Sequence, residues 1–259
     1  MQNLLKIKLT NEINIDKSGI YQIDFNETIP NLTINVAGSD VSIWLIGNLP
    51  KIKWNIFPNV IKLERIFDIS NNNFIIDNKF IQQTYIHDQV ILASDSNQKV
   101  KCNISLLNQI NYNLDFLGIS KKNNIKDVEA IINHKCTNSK SFVKSFFLAQ
   151  ENSVNNVVIN NKLAPKMSNC EVDQNILFLQ TSSKAKCSGI PIIEATDNKV
   201  KASHSCFIGN INQDHVFYLR SKGIEKLKAE KILIFSMFNN IFTLNINKYI
   251  IKKYEEYFK

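Results

Sequence analysis

A histidine and a cysteine stand two residues apart, at His204 and Cys206, in the stretch from Lys199 to Ile224. The residues around them alternate as in a β-strand, in which every second side chain points to the same face. On that face, the neighbours of the imidazole and the thiol are apolar: Val200, Ala202 and Ile208. Imidazole is a good ligand for iron, and thiolate is the usual ligand of iron–sulfur clusters. The two residues are therefore a candidate metal-binding pair.

Whether this pair can bind a metal depends on what the strand face meets. The rise of a strand places the Cα atoms of His204 and Cys206 about 6.6 Å apart, which permits both side chains to reach one iron. This interpretation requires that the face is open. If the face lies inside the fold, both residues belong to the core instead.

The other histidines and cysteines give weaker signals. His134 and Cys136 repeat the same spacing and form a second candidate pair. His87 and His215 are expected at the surface or in the C-terminal part of the fold. The chain has five cysteines, an odd number, and no Cys-x-x-Cys. This pattern disfavours a disulfide framework and a closed zinc site, and it favours a reducing compartment.

The elements that would position these residues are short strands. Between residues 4 and 160, apolar side chains recur with period two in short runs, and polar turns separate the runs. The continuous apolar runs Val90–Leu92 and Val157–Ile159 predict strands that are buried on both faces. This organisation fits a sandwich, a barrel or a β-solenoid.

The cysteine positions favour the solenoid. They fall near multiples of seventeen residues apart, as expected if equivalent positions of successive coils stack in the interior. Cysteine is small and apolar enough for such a row. The cysteines are Cys102, Cys136, Cys170, Cys187 and Cys206. We therefore predict a β-helix and interpret most of its cysteines as core residues.

From Asn212 onwards, the apolar spacing is that of helices. Asn212 or Asp214 is predicted to cap a first helix, because either side chain can accept bonds from the N–H groups of the first turn. Gly223 is predicted to end that helix in the left-handed conformation. A second helix is predicted over residues 224–238 and a third over residues 246–254.

The predicted organisation is a β-body over residues 1–210 and a helical segment over residues 211–259.

The net charge is +8, but almost all positive residues are lysines, and the only arginines are Arg65 and Arg220. Because arginine is the side chain best suited to phosphate and guanine contacts, nucleic-acid binding is disfavoured. The sequence contains no apolar run of about 18 residues, so it predicts no membrane span. The sequence also lacks a Walker phosphate loop, so ATP binding of that kind is not predicted.

The stretch from Asp173 to Ile224 resembles the SufB/SufD family of iron–sulfur cluster assembly proteins. The matching segments follow one another in the family's order: Gln174–Leu177, Lys184–Lys186, Pro191, Glu194, Val200, Ser203–His204, Gly209 and Phe217–Ile224. They cover about a fifth of the chain closely. The remainder resembles the family only in its pattern of strands followed by helices.

The resemblance implies a mainly β protein, with a right-handed parallel β-helix core and a small C-terminal helical segment. It also implies that SufB-type and SufD-type chains pair through their β-helices and that the cluster is built near that junction. His204 matches the histidine of a Ser-His-Gly segment that lies there in SufD-type members. Ser205 follows it here, where SufD-type members have Gly and SufB-type members have Glu. The adjoining residues fit the SufD type better.

The helical segment of the family docks an ABC-type ATPase, SufC. The residues that the resemblance assigns to this dock are Phe217, Tyr218, Arg220, Lys222, Gly223 and Ile224. Phe217 and Leu219 are expected to anchor the helix to the β-body, which leaves Arg220 and Lys222 available to a partner.

We therefore expect a SufD-like scaffold subunit rather than an enzyme, with a SufB-like chain and a SufC-type ATPase as partners. A homodimer through the β-helix is a further option. No stably bound cofactor is expected, only transient iron or an iron–sulfur cluster at the junction. The expected location is the cytoplasm, or else a plastid. Two features depart from the family: the chain enters the β-pattern without the usual N-terminal helical region, and Cys206 stands where alanine is usual.

Two other interpretations remain open. A secreted-type β-helix enzyme that acts on polysaccharides would need carboxylates clustered along one cleft, whereas the acidic residues here are scattered. The other is a non-catalytic relative that only organises partners.

Overall fold

A computed structural model describes residues 4–27, 29–239 and 253 of the chain. Within these residues, short strands follow one another up to Asn210, and two helices come after them. The strands are β1 (Leu4–Lys6), β2 (Glu12–Ile15), β3 (Gly19–Phe25), β4 (Asn31–Val36), β5 (Asp40–Gly47), β6 (Lys51–Ile56), β7 (Lys62–Ile69), β8 (Asn73–Phe80), β9 (Tyr85–Leu92), β10 (Gln98–Leu106), β11 (Asn111–Ser120), β12 (Ile125–His134), β13 (Lys140–Ala149), β14 (Val154–Leu163), β15 (Glu171–Gln180), β16 (Lys186–Glu194) and β17 (Lys201–Asn210). The helices are α1 (Gln213–Ser221) and α2 (Lys226–Asn239).

The strands pair in parallel and alternate between two sides of the fold. The odd-numbered strands form one nine-stranded sheet in chain order. The even-numbered strands form a three-stranded sheet, β2 to β6, and a five-stranded sheet, β8 to β16. Each coil thus contributes one strand to each side, which is the arrangement of a parallel β-helix. The predicted β-helix with a small C-terminal helical segment is confirmed.

The coils lengthen along the chain. Partners across β5 and β7 are 22 residues apart, whereas partners across β15 and β17 are 30 residues apart. The cysteines therefore do not share one position: Cys102 pairs in register with Ala130, and Cys187 pairs with Asn155. The inference that the cysteines stack every seventeen residues is wrong, although the fold that it favoured is correct.

The middle strands of the odd-numbered sheet, such as β7, β9 and β11, are buried on both faces. Val90 and Leu92 of β9 point into the β-helix, where they join a core that extends through successive coils. Ile91 points outwards into a second apolar layer, to which Ile234 and Phe238 of α2 contribute. This double burial explains why β9 is a continuous apolar run, as predicted.

The even-numbered strands behave differently. In β14, Val157 and Ile159 are buried in the interior, whereas Val158 between them is only half-buried. The outer side of this sheet carries polar pairs, such as Lys101 and Glu129 at 2.9 Å. The expectation that residues 157–159 are buried on both faces is therefore wrong, because the outer side of their sheet faces solvent.

An ion pair lies inside the β-helix. Nε and Nη2 of Arg65 donate to the two carboxylate oxygens of Asp88 at 2.8 and 2.7 Å, and the hydroxyl of Tyr112 donates to Asp88 at 2.8 Å. All three side chains are fully buried. The guanidinium also lies 4.6 Å from the centre of the Trp54 ring, as a cation–π contact. These contacts compensate charges that would otherwise be costly to bury.

The first helix begins and ends where the sequence predicts. Oδ1 of Asn212 accepts the N–H groups of Asp214 and His215 at 2.8 and 3.4 Å. Gly223 has a φ of +85°, and its N–H donates to the carbonyl of Arg220 at 2.9 Å. A side chain at this position would be strained by the backbone conformation rather than by neighbours, since no atom of the described residues lies within 4 Å of an added Cβ.

The second predicted helix corresponds to α2. The third, at residues 246–254, lies outside the described residues apart from Lys253, whose ammonium group pairs with Asp68 at 2.6 Å. Neither described helix has the length and apolar character that a membrane span requires.

Candidate functional site

The last strand continues the interior row of the β-helix. In the register of β15 and β17, Gln174 pairs with His204, and Ile176 pairs with Cys206. Gln174 and Ile176 are fully buried. His204 and Cys206 are exposed instead, because β17 is the last strand of its sheet among the described residues. The candidate pair thus lies on an inward-facing row at an open end of the fold. The sequence had left two alternatives, an open face and an interior face, and this position has features of both.

The open end, formed by β16 and β17, is apolar as well as unpaired. Phe207 and Ile208 of β17 are 54% and 45% exposed, and Ile190 of β16 is 48% exposed. One backbone edge of β17 has no partner strand in the described structure. An exposed edge with apolar side chains is a template on which another chain can pair.

A second thiol, that of Cys187 on β16, lies near Cys206. The Sγ atom of Cys206 packs over Gly189, where an added Cβ would come within 2.6 Å of the sulfur. Burial raises the pKa of the Cys187 thiol, and the nearby Cys206 acts in the same direction, whereas hydrogen bonds with Gln180 and Asn155 lower this pKa by less. Burial also raises the pKa of Cys206. Both thiols are therefore mostly protonated at neutral pH unless a metal or a cation approaches.

The sequence indicated no role for Cys187, because its position near Cys206 depends on how β16 and β17, which belong to different sheets, face each other across the last coil. Within the described residues, no three histidine, cysteine, aspartate or glutamate side chains form a group that could hold a metal ion. Cys206 thus lies near Cys187, and His204 lies two residues before Cys206 on the same face of β17, without a closed ligand set.

The second candidate pair diverges. His134 is fully buried, and its two ring nitrogens lie 2.7 and 2.8 Å from the hydroxyls of Ser139 and Ser141. Cys136 lies in the following turn, where its carbonyl accepts the Ser139 hydroxyl at 2.8 Å. These contacts are those of a structural histidine that orders a turn.

The buried state of His134 predicts a loss of stability in acid. Burial lowers its pKa from 6.5 to about 4, so the folded protein excludes a proton that the unfolded chain binds. The resulting destabilisation is absent above the unfolded pKa and grows as the pH falls from 6.5 towards 4. When the pH is lowered from about 7 to about 4.5, the free energy of unfolding measured with urea should fall by about 2–3 kcal/mol more in the wild type than in His134→Gln. Equal losses in the two proteins would contradict this assignment.

The expectation that His87 lies at the surface is wrong. His87 is buried in the outer layer of the odd-numbered sheet, with Nε2 at 2.7 Å from a carboxylate oxygen of Asp115. Strand alternation places it on the same side as Ile91, in the layer to which α2 contributes. His215 in α1 is exposed, as expected.

The two helices present an exposed surface of mixed character. Phe217 and Tyr218 are 73% and 60% exposed, and the ammonium group of Lys222 lies 5.6 Å from the centre of the Tyr218 ring. Arg220 is exposed as well. The expectation that Phe217 anchors the helix is wrong, because Val216, one residue earlier, is the buried side chain of α1.

The chain is similar to known proteins over much of the described fold. Residues 69–237 match the SufBD core domain of SUF system FeS cluster assembly. The iron–sulfur cluster assembly protein SufD of Escherichia coli is 26% identical over 125 residues, which are 48% of this chain and 29% of that protein. SufD of Bacillus subtilis is 32% identical over 68 residues, which are 26% of this chain and 15% of that protein. An iron–sulfur cluster assembly SufBD family protein of Synechocystis is 35% identical over 72 residues, which are 27% of this chain and 15% of that protein.

These matches span less than a third of each relative's length. Two of the three relatives are SufD proteins, which confirms the predicted SufD-like character. The matched residues run from the end of β7 into α2 and so include the open end and both helices. The chain belongs to the SufBD core family of the SUF system for iron–sulfur cluster assembly.

Proposed function

We propose that this chain is a SufD-like scaffold subunit of an iron–sulfur cluster assembly complex. It pairs with a SufB-like chain through the open end of the β-helix and docks a SufC-type ABC ATPase through α1 and α2. Membership of the SufBD core family supports a role in iron–sulfur cluster assembly. The observation that carries the proposal is that an interior row, with His204 on it, is exposed at the end of the fold.

The chemistry of the junction follows from the donors. His204 offers an imidazole nitrogen and Cys206 a sulfur, which suit iron and iron–sulfur clusters. Such a cluster is cargo here rather than a resident cofactor. Clusters of this kind are usually held by four protein ligands, so the partner chain supplies those that are missing. A cluster shared between two chains is released when the chains separate, which suits a scaffold better than an enzyme.

The pairing surface is the exposed edge of β17. Phe207 and Ile208 flank the edge, and a second β-helix placed against it would cover both side chains and satisfy the unpaired backbone. A SufB-like chain is the partner that the family suggests. A second copy of this chain would use the same edge, and the mass of the purified complex separates the two cases.

The ATPase dock is the exposed surface of α1 and the turn after it: Phe217, Tyr218, Arg220, Lys222, Gly223 and Ile224. Aromatic side chains surrounded by cations are typical of the residues that dominate binding at interfaces. Gly223 fixes the direction in which the chain leaves α1. The dock lets a separate nucleotide-driven subunit act on the β-helix.

Charge reversal tests the dock. Arg220→Glu combined with Lys222→Glu should lower co-purification of the co-expressed SufC-type ATPase by about tenfold or more, because rim charges facing the partner become repulsive. The matched control reverses two exposed lysines in turns of the β-helix, Lys17→Glu and Lys135→Glu. Equal ATPase recovery in both variants would show that the helices only cap the β-helix.

A further inference from the structure

The even-numbered side of the β-helix is interrupted between β6 and β8. On the opposite side, β5, β7 and β9 pair without a break. We call the gap between β6 and β8 the seam. Side chains tie both of its ends: Asn71 exchanges hydrogen bonds of 2.7 and 3.0 Å with the backbone of Leu49, and Nε2 of Gln82 donates to the carbonyl of Ile56 at 2.6 Å.

The strand β6 directs unpaired backbone groups into the seam. In a parallel ladder, the N–H and C=O of one residue point to the same side, and those of the next residue point to the other. The N–H of Phe57 donates to Val36 on the β4 side, whereas the carbonyl of Ile56 points to Gln82 across the seam. By this alternation, the backbone groups of Ile52 and Trp54 also face the seam, where β6 has no partner strand.

The strand β8 does the same from the other side. The carbonyls of Asn72 and Phe80 accept bonds from the β10 side, at 2.7 and 2.9 Å. The alternate residues Ile75 and Asp77 therefore turn their backbone groups towards β6. The seam is thus bordered by two strand edges, both without a strand partner among the described residues.

Aromatic side chains line the space between the two strand edges. Cavities of about 360, 250 and 690 Å³ open along the seam, and Trp54 lines all of them. Phe80 and Phe74 contribute to the lining. Behind this layer lies the buried guanidinium of Arg65, 4.6 Å from the Trp54 ring and 5.2 Å from the Phe80 ring. Its Nη1 atom is buried and has no acceptor in the described part of the chain.

The outer rim of the seam is positively charged. Lys51, Lys53 and Lys79 are exposed there, against one carboxylate, Asp77. None of these four forms an ion pair with another described residue. Ile75, which also lines the seam, is 68% exposed. The rim therefore favours a ligand with negative charge and some apolar surface.

We propose that the seam binds an extended, acidic segment of a partner polypeptide. The segment adds as a strand, so that its backbone pairs with the free edges of β6 and β8. Because side chains alternate along a strand, its carboxylates meet Lys51, Lys53 and Lys79 outside, while aliphatic residues pack against Trp54 and Phe80 inside. This inference does not depend on the proposed function, which rests on β17, α1 and α2, whereas the seam lies between β6 and β8.

A labelled peptide tests the charge complementarity. The fluorescein-labelled peptide EVDIEVDI, which alternates carboxylate and aliphatic side chains, should bind the full chain at least about tenfold more tightly than KVKIKVKI by fluorescence anisotropy. Lys51→Glu, Lys53→Glu and Lys79→Glu together should abolish this preference. The control triple, Lys17→Glu, Lys135→Glu and Lys166→Glu, makes the same change of charge on exposed turns of the β-helix and should retain it.

A second pair of variants tests the backbone pairing. Ile75→Pro removes a donor that points into the seam and leaves the ladder to β10 intact, whereas Ile75→Val keeps the donor. Binding should be at least about tenfold weaker in the proline variant than in the valine variant, with both melting as one folded species. Equal binding of the acidic and basic peptides, equal effects of the two lysine triples, or equal binding by the two Ile75 variants would overturn the proposal.

Discussion

Replacing Asp88 with alanine is expected to lower the free energy of unfolding by about 3–5 kcal/mol. The Asp88 carboxylate is the acceptor for both the Arg65 guanidinium and the Tyr112 hydroxyl, inside a core that contains no exposed surface at these residues. Without it, the contacts that remain to this fully buried positive charge within the described structure are those with aromatic rings. Urea denaturation followed by circular dichroism measures the change.

Two controls identify the cause. Asp77→Ala removes an exposed carboxylate from a neighbouring strand and should change the stability by less than about 0.5 kcal/mol. Arg65→Met combined with Asp88→Leu removes both charges and should recover most of the loss, because an apolar pair of similar volume fits such a site. A double variant as unstable as Asp88→Ala would mean that packing, and not the uncompensated charge, sets the cost.

The strands could be predicted from the sequence more readily than their partners. Period-two spacing identified the short strands, and Gly223 identified the end of α1. The cluster of Arg65, Asp88 and Tyr112 could not be predicted, because Asp88 is 23 residues from Arg65 and 24 from Tyr112. A coil length that changes along the chain leaves no constant period from which such partners could be read.

The site shows the same division. Alternation placed His204 and Cys206 on one face, and the family resemblance singled out His204. Neither could show that this face aligns with the interior row of the preceding strand while its own side chains are exposed. That property depends on where the row of strands stops. Phe217 shows a different limit: a shift of one residue in helix phase exchanges it with Val216 as the buried side chain.

The His204→Ala variant is expected to fold and assemble normally and yet to fail in cluster assembly. Because His204 is exposed, its removal should change the free energy of unfolding by less than about 0.5 kcal/mol. Loss of a group that binds or positions a metal typically costs about tenfold to a hundredfold in affinity or activity. Ser205→Ala is the matched control, because the next side chain along β17 points to the other face.

The most direct measurement is the activity of an iron–sulfur enzyme such as aconitase in cells whose SUF system depends on this chain. With equal amounts of the purified complex, His204→Ala should reduce that activity by about tenfold or more, while Ser205→Ala leaves it at the wild-type level. Wild-type activity in the His204→Ala cells would contradict the claim that the open end of the β-helix is where this protein takes part in cluster assembly.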